Sequence, residues 1–363
     1  MRLFYIANIR FPTEKAHGAQ IAKTCEALMH QGAEVTLVTT DRKTVTETPR
    51  NYYRLSVEIP TIRISVPDIV SWGPLGFFIE SLVFAWRINC PAQSVIYGRD
   101  EWILLVLSYM CKSPIYWESH TGAWNLGARM LARRAAGIVV ISEGLRDFYI
   151  ERGVSAGRML VAYDGIDLAA FAHTLDKEAA RTKLDLPRDS KIVMYVGRFD
   201  GWKGSDTFFN AASSLPEDML AVAIGGEPTQ VESLRTRYPE VRFLGFRPYR
   251  ELADHLAAAD ILALPNTATD IISARFTSPL KLFAYMASQK PIVASDLPSI
   301  REVLDESCGY LVSPDDSGAL AEGIRRAVAD SEASNKAALA RERVEQYTWT
   351  ARAGKILGML KSV

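Results

Sequence analysis

The most informative stretch of this sequence is Thr277-Ser-Pro-Leu-Lys-Leu-Phe-Ala-Tyr-Met-Ala-Ser-Gln-Lys-Pro-Ile-Val-Ala-Ser-Asp296. It predicts a helix start, a helix, a turn and a short buried strand. The Ser278 hydroxyl suits the N-cap, and Pro279 suits the first helical position, where no backbone N–H is needed. A helix start favours an anion, and Lys281 adds a full positive charge there. Alone, the pattern favours an ordinary capped helix in an α/β sheet.

A second cationic segment upstream changes that interpretation. Lys191-Ile-Val-Met-Tyr-Val196 is a predicted strand, and Gly197-Arg-Phe-Asp-Gly-Trp-Lys-Gly204 is the loop after it. Three glycines allow this loop to approach a ligand closely. Arg198 suits planar contact with phosphate oxygens, whereas Lys203 acts as a point charge. The G-K-[ST] ending is missing, so the loop is not a Walker A motif.

Composition limits the class of protein. A chain of 363 residues is long enough for two domains of about 150–200 residues each. Its 42 basic and 42 acidic residues give no net charge, so no global field attracts nucleic acid. The first residues form a strand rather than a signal peptide, because the apolar run is short and lacks a cleavage pattern. The four cysteines show neither metal-ligand spacing nor a redox pair, which predicts a reducing cytoplasm: Cys25, Cys90, Cys111 and Cys308.

The first half opens with a βαβ unit. Leu3–Ala7 is a predicted buried strand, and a loop then leads to a helix predicted over residues 19–31. The loop lacks G-x-G-x-x-G, so a nicotinamide or flavin site is disfavoured. It carries Lys15, His17 and Gly18 beside the helix start. These residues either hold a polar ligand at the carboxyl end of the strand or form a plain connection.

Residues 69–90 are almost all apolar, and their length approaches that of a membrane span. Pro74, Glu80 and Arg87 argue against a span, because a proline and two charges would lie inside it. The segment therefore predicts a buried or interfacial helix. Contact with a membrane surface stays open.

Two further strands of the first half end in polar residues. The predicted strand 94–97 is followed by Arg99, and the strand 115–118 ends in Glu118 and is followed by His120. Carboxyl ends of parallel strands meet at one edge of a doubly wound sheet, where such folds bind ligands. His120 is therefore predicted to face a ligand, although a histidine that only bonds a nearby carbonyl shows the same pattern.

The second half repeats the alternation of strand, loop and helix. Asp315 and Asp316 precede a predicted helix, which favours N-capping over metal binding. Residues 335–363 are predicted to be helical, with a break near Tyr347-Thr-Trp349.

Five sets of residues together resemble one large protein family. They are Phe11-Pro-Thr-Glu-Lys-Ala-His-Gly-Ala-Gln20, Asp164-Gly-Ile-Asp167, Tyr195-Val-Gly-Arg198 with Lys203-Gly204, Ser278-Pro-Leu-Lys-Leu-Phe-Ala-Tyr-Met-Ala287 with Lys290-Pro-Ile-Val-Ala-Ser-Asp296, and Tyr347-Thr-Trp349. The chain resembles the bacterial members of the retaining, GT-B-fold glycosyltransferases, the family numbered four and also described as glycosyl transferases group 1. The resemblance covers nearly the whole chain. Its most specific motifs are those at Gly197 and Ser278.

The resemblance implies an α/β fold of two Rossmann-like, doubly wound domains that face each other across a cleft. The acceptor-side domain would span 1–168 with a returning helix at 347–363, and the nucleotide-sugar-binding domain would span 169–346. The implied activity is retaining, hexosyltransferase-like transfer from a nucleoside-diphosphate sugar, such as a UDP- or GDP-sugar, to a glycan or lipid-linked acceptor. This would serve bacterial surface polysaccharide or glycoconjugate synthesis in the cytoplasm, with peripheral membrane contact through residues 69–90. The family needs no metal or other cofactor.

The resemblance also assigns roles to residues of this sequence. Arg198 and Lys203 would neutralise the donor diphosphate and the charge that grows as the sugar leaves. His120 would lie near the reacting sugar and complete the catalytic set. The implied donor site contains Gly18, Gly197, Arg198, Lys203, Arg247, Pro248, Asn266, Ser278, Pro279, Leu280, Lys281 and Ala284. The acceptor would enter near Lys15, His17, Arg99 and Glu118.

One helix departs from the family pattern. Family members carry two carboxylates eight positions apart, and these positions hold Phe276 and Ala284 here. Members with Ser-Pro-Leu-Lys-Leu-Phe often lack the first carboxylate but keep the second, which lies at the ribose. Its loss would remove about 1.5–3 kcal/mol, or roughly ten- to a hundredfold in donor affinity. An engineered inactivating substitution, a natural weak binder and a non-catalytic relative remain as explanations.

Three other functions compete with transfer. A non-catalytic sugar-nucleotide- or glycan-binding relative would share the fold, and a GT-B-fold epimerase would convert a nucleotide sugar without an acceptor. A nicotinamide dehydrogenase is the weakest alternative, since no glycine fingerprint follows the first strand.

Overall fold

The computed structural model describes residues 1–42, 45–67, 69, 72–89, 93–199 and 201–362. The chain forms two compact units, of which the first contains Met1–Asp164 and Trp349–Val363 and the second contains Gly165–Thr348. The Ile166 amide donates to the Tyr347 carbonyl at 2.9 Å, so the chain enters and leaves the second unit side by side. The units therefore change at 164/165 and 348/349, whereas the resemblance placed the changes at 168/169 and 346/347.

The first unit is built on a parallel sheet, with seven strands among the described residues. These are β1 Arg2–Ala7, β2 Glu34–Thr40, β3 Thr61–Ile64, β4 Ser94–Gly98, β5 Ile115–Ser119, β6 Gly137–Val140 and β7 Met159–Val161. Their order is β3-β2-β1-β4-β5-β6-β7. Arg2 of β1 pairs with Glu34 on one side and Ser94 on the other. Tyr5 and Ile6 point to opposite faces of the sheet and are both buried, as expected for a strand covered on both faces.

Helices cover this sheet. They are α1 Ala16–His30, α2 Pro49–Tyr53, α3 Pro74–Arg87, α4 Glu101–Met110, α5 Leu126–Arg134 and α6 Glu143–Ile150. The helix predicted from residue 19 begins at Ala16, so His17 and Gly18 lie in its first turn and not in a loop. α3 occupies the middle of the apolar segment 69–90, of which residues 70, 71 and 90 lie outside the described residues. None of the helices in the described ranges combines the length and apolarity needed to cross a membrane.

The second unit contains a six-stranded parallel sheet within the described residues. Its strands are β8 Lys191–Val196, β9 Met219–Ile224, β10 Val241–Gly245, β11 Ile261–Leu264, β12 Ile292–Ser295 and β13 Tyr310–Val312, and their order is β10-β9-β8-β11-β12-β13. The flanking helices are α7 Lys177–Lys183, α8 Ser205–Ala212, α9 Pro228–Arg237, α10 Leu252–Ala257, α11 Leu280–Ala287, α12 Pro298–Arg301, α13 Ser317–Ala329 and α14 Ala333–Arg343. The predicted α/β class with two doubly wound parallel sheets is confirmed.

Helix ends confirm one local prediction and correct another. Asp316 caps α13 by accepting a hydrogen bond from the Ala319 amide at 2.8 Å, so the predicted N-cap is confirmed. The predicted Ser278 cap is wrong. α11 begins at Leu280, because Pro279 keeps an extended ψ of 111° and occupies the N-cap position without a side-chain cap.

The C-terminal helix α15 Trp349–Lys361 returns to the first unit and packs on α1, as the resemblance implied. The break predicted near Tyr347-Thr-Trp349 is confirmed, since it separates α14 from α15. Buried Arg352 points into the first unit, where its guanidinium bonds the carbonyls of Ala162 and Tyr163. The helix is therefore held by polar contacts as well as by apolar packing.

The cysteines differ from expectation. Cys25 and Cys308 are buried and free, but Cys111 is disulfide-bonded, and Cys90 lies outside the described residues. The spacing of the cysteines showed no redox pair, so the disulfide at Cys111 was not predicted. Cysteine usage consequently gives no support to a reducing compartment.

Candidate functional site

An aromatic cluster anchors the cationic loop of the second unit. Phe199 lies inside the loop and is buried, with ring centroids 5.2 Å from Phe209 and 5.8 Å from Phe243. Its carbonyl accepts a hydrogen bond from the Gln230 side chain at 2.9 Å. The loop between β8 and α8 is thus fixed at its middle, while the neighbouring Arg198 remains exposed at the carboxyl edge of the sheet.

Gly204 closes this loop against β11. Its φ is 68°, and a Cβ placed on it would lie 1.5 Å from the Pro265 carbonyl oxygen. No other residue type fits there without moving the backbone. Gly204 thus lies where the loop contacts the residues that follow β11.

Replacing Gly204 by alanine is expected to destabilise the second unit, with about 1–3 kcal/mol from the backbone conformation alone. Gly201→Ala in the same loop is the matched control, because a Cβ at Gly201 meets nothing within 4 Å. Urea denaturation should show a lower midpoint for Gly204→Ala only. Equal midpoints for the two variants would contradict the close approach.

Lys281 projects from α11 towards the same loop. Its Nζ lies 4.4 Å from the centroid of the Tyr195 ring and 3.4 Å from the Tyr195 hydroxyl, to which it donates. The Tyr195 hydroxyl in turn donates to the Arg198 carbonyl at 2.9 Å. Burial, together with the positive charge of Lys203, holds the pKa of Lys281 well below its usual value. Two cations therefore converge on one place, an arrangement that an anion would relieve.

The start of α11 adds backbone donors beside these cations. The helix has no side-chain cap at Pro279, so its first-turn amides depend on water or a ligand. Pro279 offers no N–H, which leaves the amides of Leu280 and Lys281 as the candidate donors. Ser278 is buried one residue before the cap position. A helix start of this kind favours a phosphate group.

The candidate base side of the site has a buried polar feature. Asn266, just after β11, is 1% exposed, and its Oδ1 has no hydrogen-bond partner among the described residues. The Ser205 hydroxyl, at the start of α8, is also buried and has no hydrogen-bond partner among the described residues. Buried polar atoms are normally satisfied, so both atoms mark a place for a ligand or water. Arg247 and Pro248 lie in the turn after β10. Ser205 was missed from the sequence, where it resembles an ordinary helix-start serine.

The two positions that lack the family carboxylates are both interior. Phe276 is 4% exposed, and Ala284 is fully buried in the second turn of α11. An apolar side chain at each position is consistent with its packing. No polar side chain at either position is therefore available to a donor hydroxyl.

The carboxyl edge of the first sheet is organised around Glu118, which is 1% exposed. Its Oε1 lies 3.2 Å from Arg99 Nη2, 2.5 Å from His120 Nε2 and 3.0 Å from Arg352 Nη2. The Tyr97 hydroxyl donates to Oε2. Burial alone would raise the pKa of Glu118, but Arg352, Arg99 and the His120 bond lower it well below its usual value. Because protein groups occupy both oxygens, Glu118 is not open to an acceptor, contrary to its assigned role.

Glu118 determines the protonation of His120. A carboxylate only accepts hydrogen bonds, so Nε2 carries the imidazole proton and Nδ1 is an acceptor. Burial and the charge of Arg99 lower the pKa of His120 to about 4. His120 is therefore neutral at physiological pH, with one nitrogen held by the protein. The alternative of a histidine that only bonds a nearby carbonyl is not what the structure shows, because Nε2 bonds the Glu118 carboxylate.

NMR titration of histidine-labelled protein is expected to show His120 with a midpoint near pH 4 and the Nε2–H tautomer at pH 7. Because its folded pKa lies below the unfolded value, His120 lowers stability as pH falls from about 6.5 to about 4. The signal is assigned by its loss in His120→Gln. A midpoint above pH 6 would contradict this geometry.

The predicted residues of the first loop have different surroundings. Lys15 is exposed at the N-cap of α1, whereas His17 is partly buried and has its pKa lowered to about 4 by burial and then by Arg99. The structure thus brings His17, Arg99 and His120 to one edge. Gly18 serves packing, since a Cβ there would lie 2.3 Å from the Tyr53 hydroxyl.

Comparison with known proteins finds a family match in the second half of the chain. Residues 190–330 match the family model described as Glycosyl transferases group 1. This part of the chain therefore resembles the group 1 glycosyl transferases. The matched range begins just before β8 and includes the Gly197–Gly204 loop and α11.

Curated proteins similar to this chain include two inositol-related enzymes. It is 30% identical over 223 residues to the D-inositol 3-phosphate glycosyltransferase of Xylanimonas cellulosilytica, covering 56% of this chain and 51% of the relative. It is 30% identical over 185 residues to the phosphatidyl-myo-inositol mannosyltransferase of Mycobacterium leprae, covering 49% and 48%. The chain thus spans about half the length of the curated relatives it matches.

Solved structures share the fold over the whole chain. Anabaena Alr3699/HepE in complex with UDP-glucose superposes with a TM-score of 0.78 at 19% identity, covering 100% of both chains. Sucrose-phosphate synthase from Thermosynechococcus elongatus gives 0.77 at 22% identity, covering 99% of this chain and 98% of that one. These likenesses establish the GT-B fold.

Proposed function

We propose that this protein is a retaining, hexosyltransferase-like glycosyltransferase. It would move a sugar from a nucleoside-diphosphate sugar to a glycan or lipid-linked acceptor in bacterial surface polysaccharide or glycoconjugate synthesis. The observation that carries the proposal is Lys281, which lies beside Tyr195 and is affected by the charge of Lys203, at a loop closed by Gly204. Such a cationic, partly dehydrated site suits a diphosphate, because its charges interact more strongly there than in bulk water.

The proposed donor site uses charges instead of a metal or other cofactor. Arg198, Lys203 and Lys281 would neutralise the diphosphate as the bond to the sugar breaks. The Leu280 and Lys281 amides would add hydrogen bonds. Gly197, Arg247, Pro248, Asn266, Ser278 and Pro279 complete the proposed donor set. A UDP-sugar is the first candidate, because related folds were solved with UDP and UDP-glucose.

The first unit would supply the remaining chemistry. We assign His120 to the transferred sugar, where its unprotonated Nδ1 would accept a hydrogen bond from a hydroxyl. Lys15, His17 and Arg99 stay as acceptor-side residues. Glu118 is left out, because its carboxylate is buried and engaged. Gly18 near the donor phosphates remains part of the proposal.

Peripheral contact with the inner face of a membrane extends the proposal. Around α3, Trp72, Leu75 and Trp86 are 68%, 64% and 74% exposed. Large apolar side chains at such exposure favour an interfacial position. A lipid-linked acceptor would then be presented on the same surface as the protein.

A non-catalytic relative is the second candidate, and Ala284 favours it. A buried apolar side chain at this position leaves the ribose hydroxyls without their family carboxylate. Transfer by this chain or by Ala284→Glu would exclude the second candidate. An acceptor-free conversion of the nucleotide sugar would instead support the epimerase alternative.

The proposal is tested by thermal unfolding with UDP, GDP, ADP and CMP. A ligand at a hundred times its dissociation constant adds about 2.7 kcal/mol to stability. We expect one nucleotide to raise the melting temperature and to raise that of Ala284→Glu more, even though a buried glutamate lowers the ligand-free value. If no nucleotide raises the melting temperature of either protein, the donor site is refuted. NMR of the product anomer then tests retention.

A further inference from the structure

We infer that the first unit carries a second anion site that binds a phosphate ester, separate from the edge where His120 lies. An open pocket of about 460 Å³ lies along α5 and the turn after α6. Its lining includes Trp124, Arg129, Arg133, Glu151, Arg152 and Arg158. The volume falls within the usual range for small-molecule sites.

The pocket lining is strongly cationic in a chain with no net charge. Four arginines face a single carboxylate, Glu151, which lies 3.6 Å from Arg152. Across the described part of the chain, Arg129 and Arg133 form no ion pair with any carboxylate, and both are exposed. Three positive charges are therefore left uncompensated in one pocket. Guanidinium groups stay charged at any physiological pH and match phosphate oxygens in pairs.

Two of these arginines are held by groups that leave their charge intact. The Arg152 guanidinium lies 3.5 Å from the centroid of the Phe148 ring and donates to the Phe148 carbonyl at 2.8 Å. Arg158 donates to the Ala135 carbonyl. These carbonyls and the ring are uncharged, so they orient both side chains, and Glu151 is the one carboxylate of the lining beside Arg152. Less conformational entropy is then lost when an anion binds.

Trp124 gives the pocket an apolar wall. Its ring lies 5.8 Å from that of Tyr149, whose hydroxyl donates to the Ala123 carbonyl at 3.2 Å. An aromatic wall beside arginines suits a ligand with a phosphate and a less polar body. A phosphorylated small molecule and an anionic lipid head group share this chemistry.

The pocket lies largely at the opposite edge of the sheet from His120. Arg158 directly precedes β7, and α5 ends just before β6, so these residues lie at the amino ends of the strands. His120 follows the carboxyl end of β5. An anion in the arginine pocket would therefore not compete with a ligand at the His120 edge.

The test compares the whole chain with Arg129→Ala/Arg133→Ala. Both side chains are exposed on a helix, so the variant is expected to fold, which circular dichroism checks. The control is Arg237→Ala/Arg326→Ala, which removes two exposed helical arginines of the second unit and changes the net charge equally. One arm measures glycerol 3-phosphate binding by calorimetry. The other measures sedimentation with phosphatidylglycerol vesicles against phosphatidylcholine vesicles.

We expect the parent chain to bind at least one probe and the pocket variant to bind it roughly tenfold or more weakly, with the control unchanged. Loss confined to glycerol 3-phosphate identifies a soluble phosphate ester, and loss confined to anionic vesicles identifies a lipid head group. The inference is overturned if the parent chain binds neither probe, or if the control loses as much as the pocket variant.

Discussion

Replacing Lys281 by methionine is expected to reduce the stabilisation by nucleotide strongly while leaving the ligand-free protein at least as stable. The variant keeps most of the aliphatic stem and removes the ammonium group. Loss of one charge-assisted contact costs about 1.5–3 kcal/mol of binding free energy. This corresponds to roughly ten- to a hundredfold in nucleotide affinity.

The weaker stabilisation by nucleotide and the retained ligand-free stability have one physical cause. In the ligand-free protein the Lys281 ammonium is partly dehydrated and repelled by Lys203, which is why its pKa is depressed. Its removal relieves both costs, so stability does not fall. When a diphosphate is present, the same charge becomes favourable. A side chain that opposes folding but favours an anion is typical of a binding residue.

Thermal unfolding with and without UDP measures both quantities on the same sample. Lys355→Met on the exposed face of α15 is the control, because it removes one positive charge far along the chain from the loop. We expect Lys355→Met to keep the increase in melting temperature that UDP causes. If Lys281→Met keeps that shift or lowers the ligand-free melting temperature strongly, Lys281 is a structural residue and not a donor-site residue.

Replacing Arg352 by methionine is expected to destabilise the first unit by about 3–5 kcal/mol, the usual cost of removing one partner of a buried ion pair. Arg352 lies 3.0 Å from Glu118 and bonds two carbonyls, so its loss leaves a buried carboxylate short of one cation. Arg99 remains beside Glu118 and would be the one arginine left to compensate its negative charge. Urea denaturation at pH 7 measures the loss.

A double-mutant cycle separates the ion pair from ordinary packing. Glu118→Gln alone is also expected to destabilise, because it leaves Arg99 and Arg352 buried with less negative charge. Combining it with Arg352→Met removes one charge of each sign, so the double variant should recover much of the summed loss. Additive losses would refute the coupling. Arg343→Met, at a half-exposed pair with Asp305, is the control and should cost less.

The same cycle has a consequence for His120. Glu118 holds the imidazole proton on Nε2, and Arg352 holds Glu118 in its ionised form. The NMR titration of His120 in Arg352→Met should therefore show an altered midpoint or a mixture of tautomers. Arg343→Met should leave the His120 signal unchanged.

Local chemistry made several elements predictable. β8 and the loop after it, the Asp316 cap and the break near Tyr347 depend on residues within a few positions of each other, and capping, glycine and strand patterns act over that range. The family motifs at Gly197 and Ser278 are local in the same sense. The class of fold follows from these elements, because alternating strands and helices build parallel sheets.

The exact boundaries of two helices were not predicted, for two different reasons. α1 begins at Ala16, and its early turn includes Gly18, where only a missing side chain leaves room for the Tyr53 hydroxyl. α11 begins later than predicted because Pro279 has an extended ψ, a local property that the sequence pattern did not reveal. A serine before a proline predicts a cap, but the backbone angle decides whether the cap forms.

By itself, the sequence determined the order of strands and helices and the cationic loop, because each depends on neighbouring residues. Parallel sheets followed only indirectly, from the alternation of strands and helices. Only the tertiary structure decided that Glu118 is buried, that Arg352 reaches it from the last helix and that four arginines share a pocket. Tyr195 and Lys281 are 86 positions apart, and Arg352 and Ala162 are 190 apart. Contacts over such separations leave no periodic pattern, so burial and charge pairing appear only when the chain has folded.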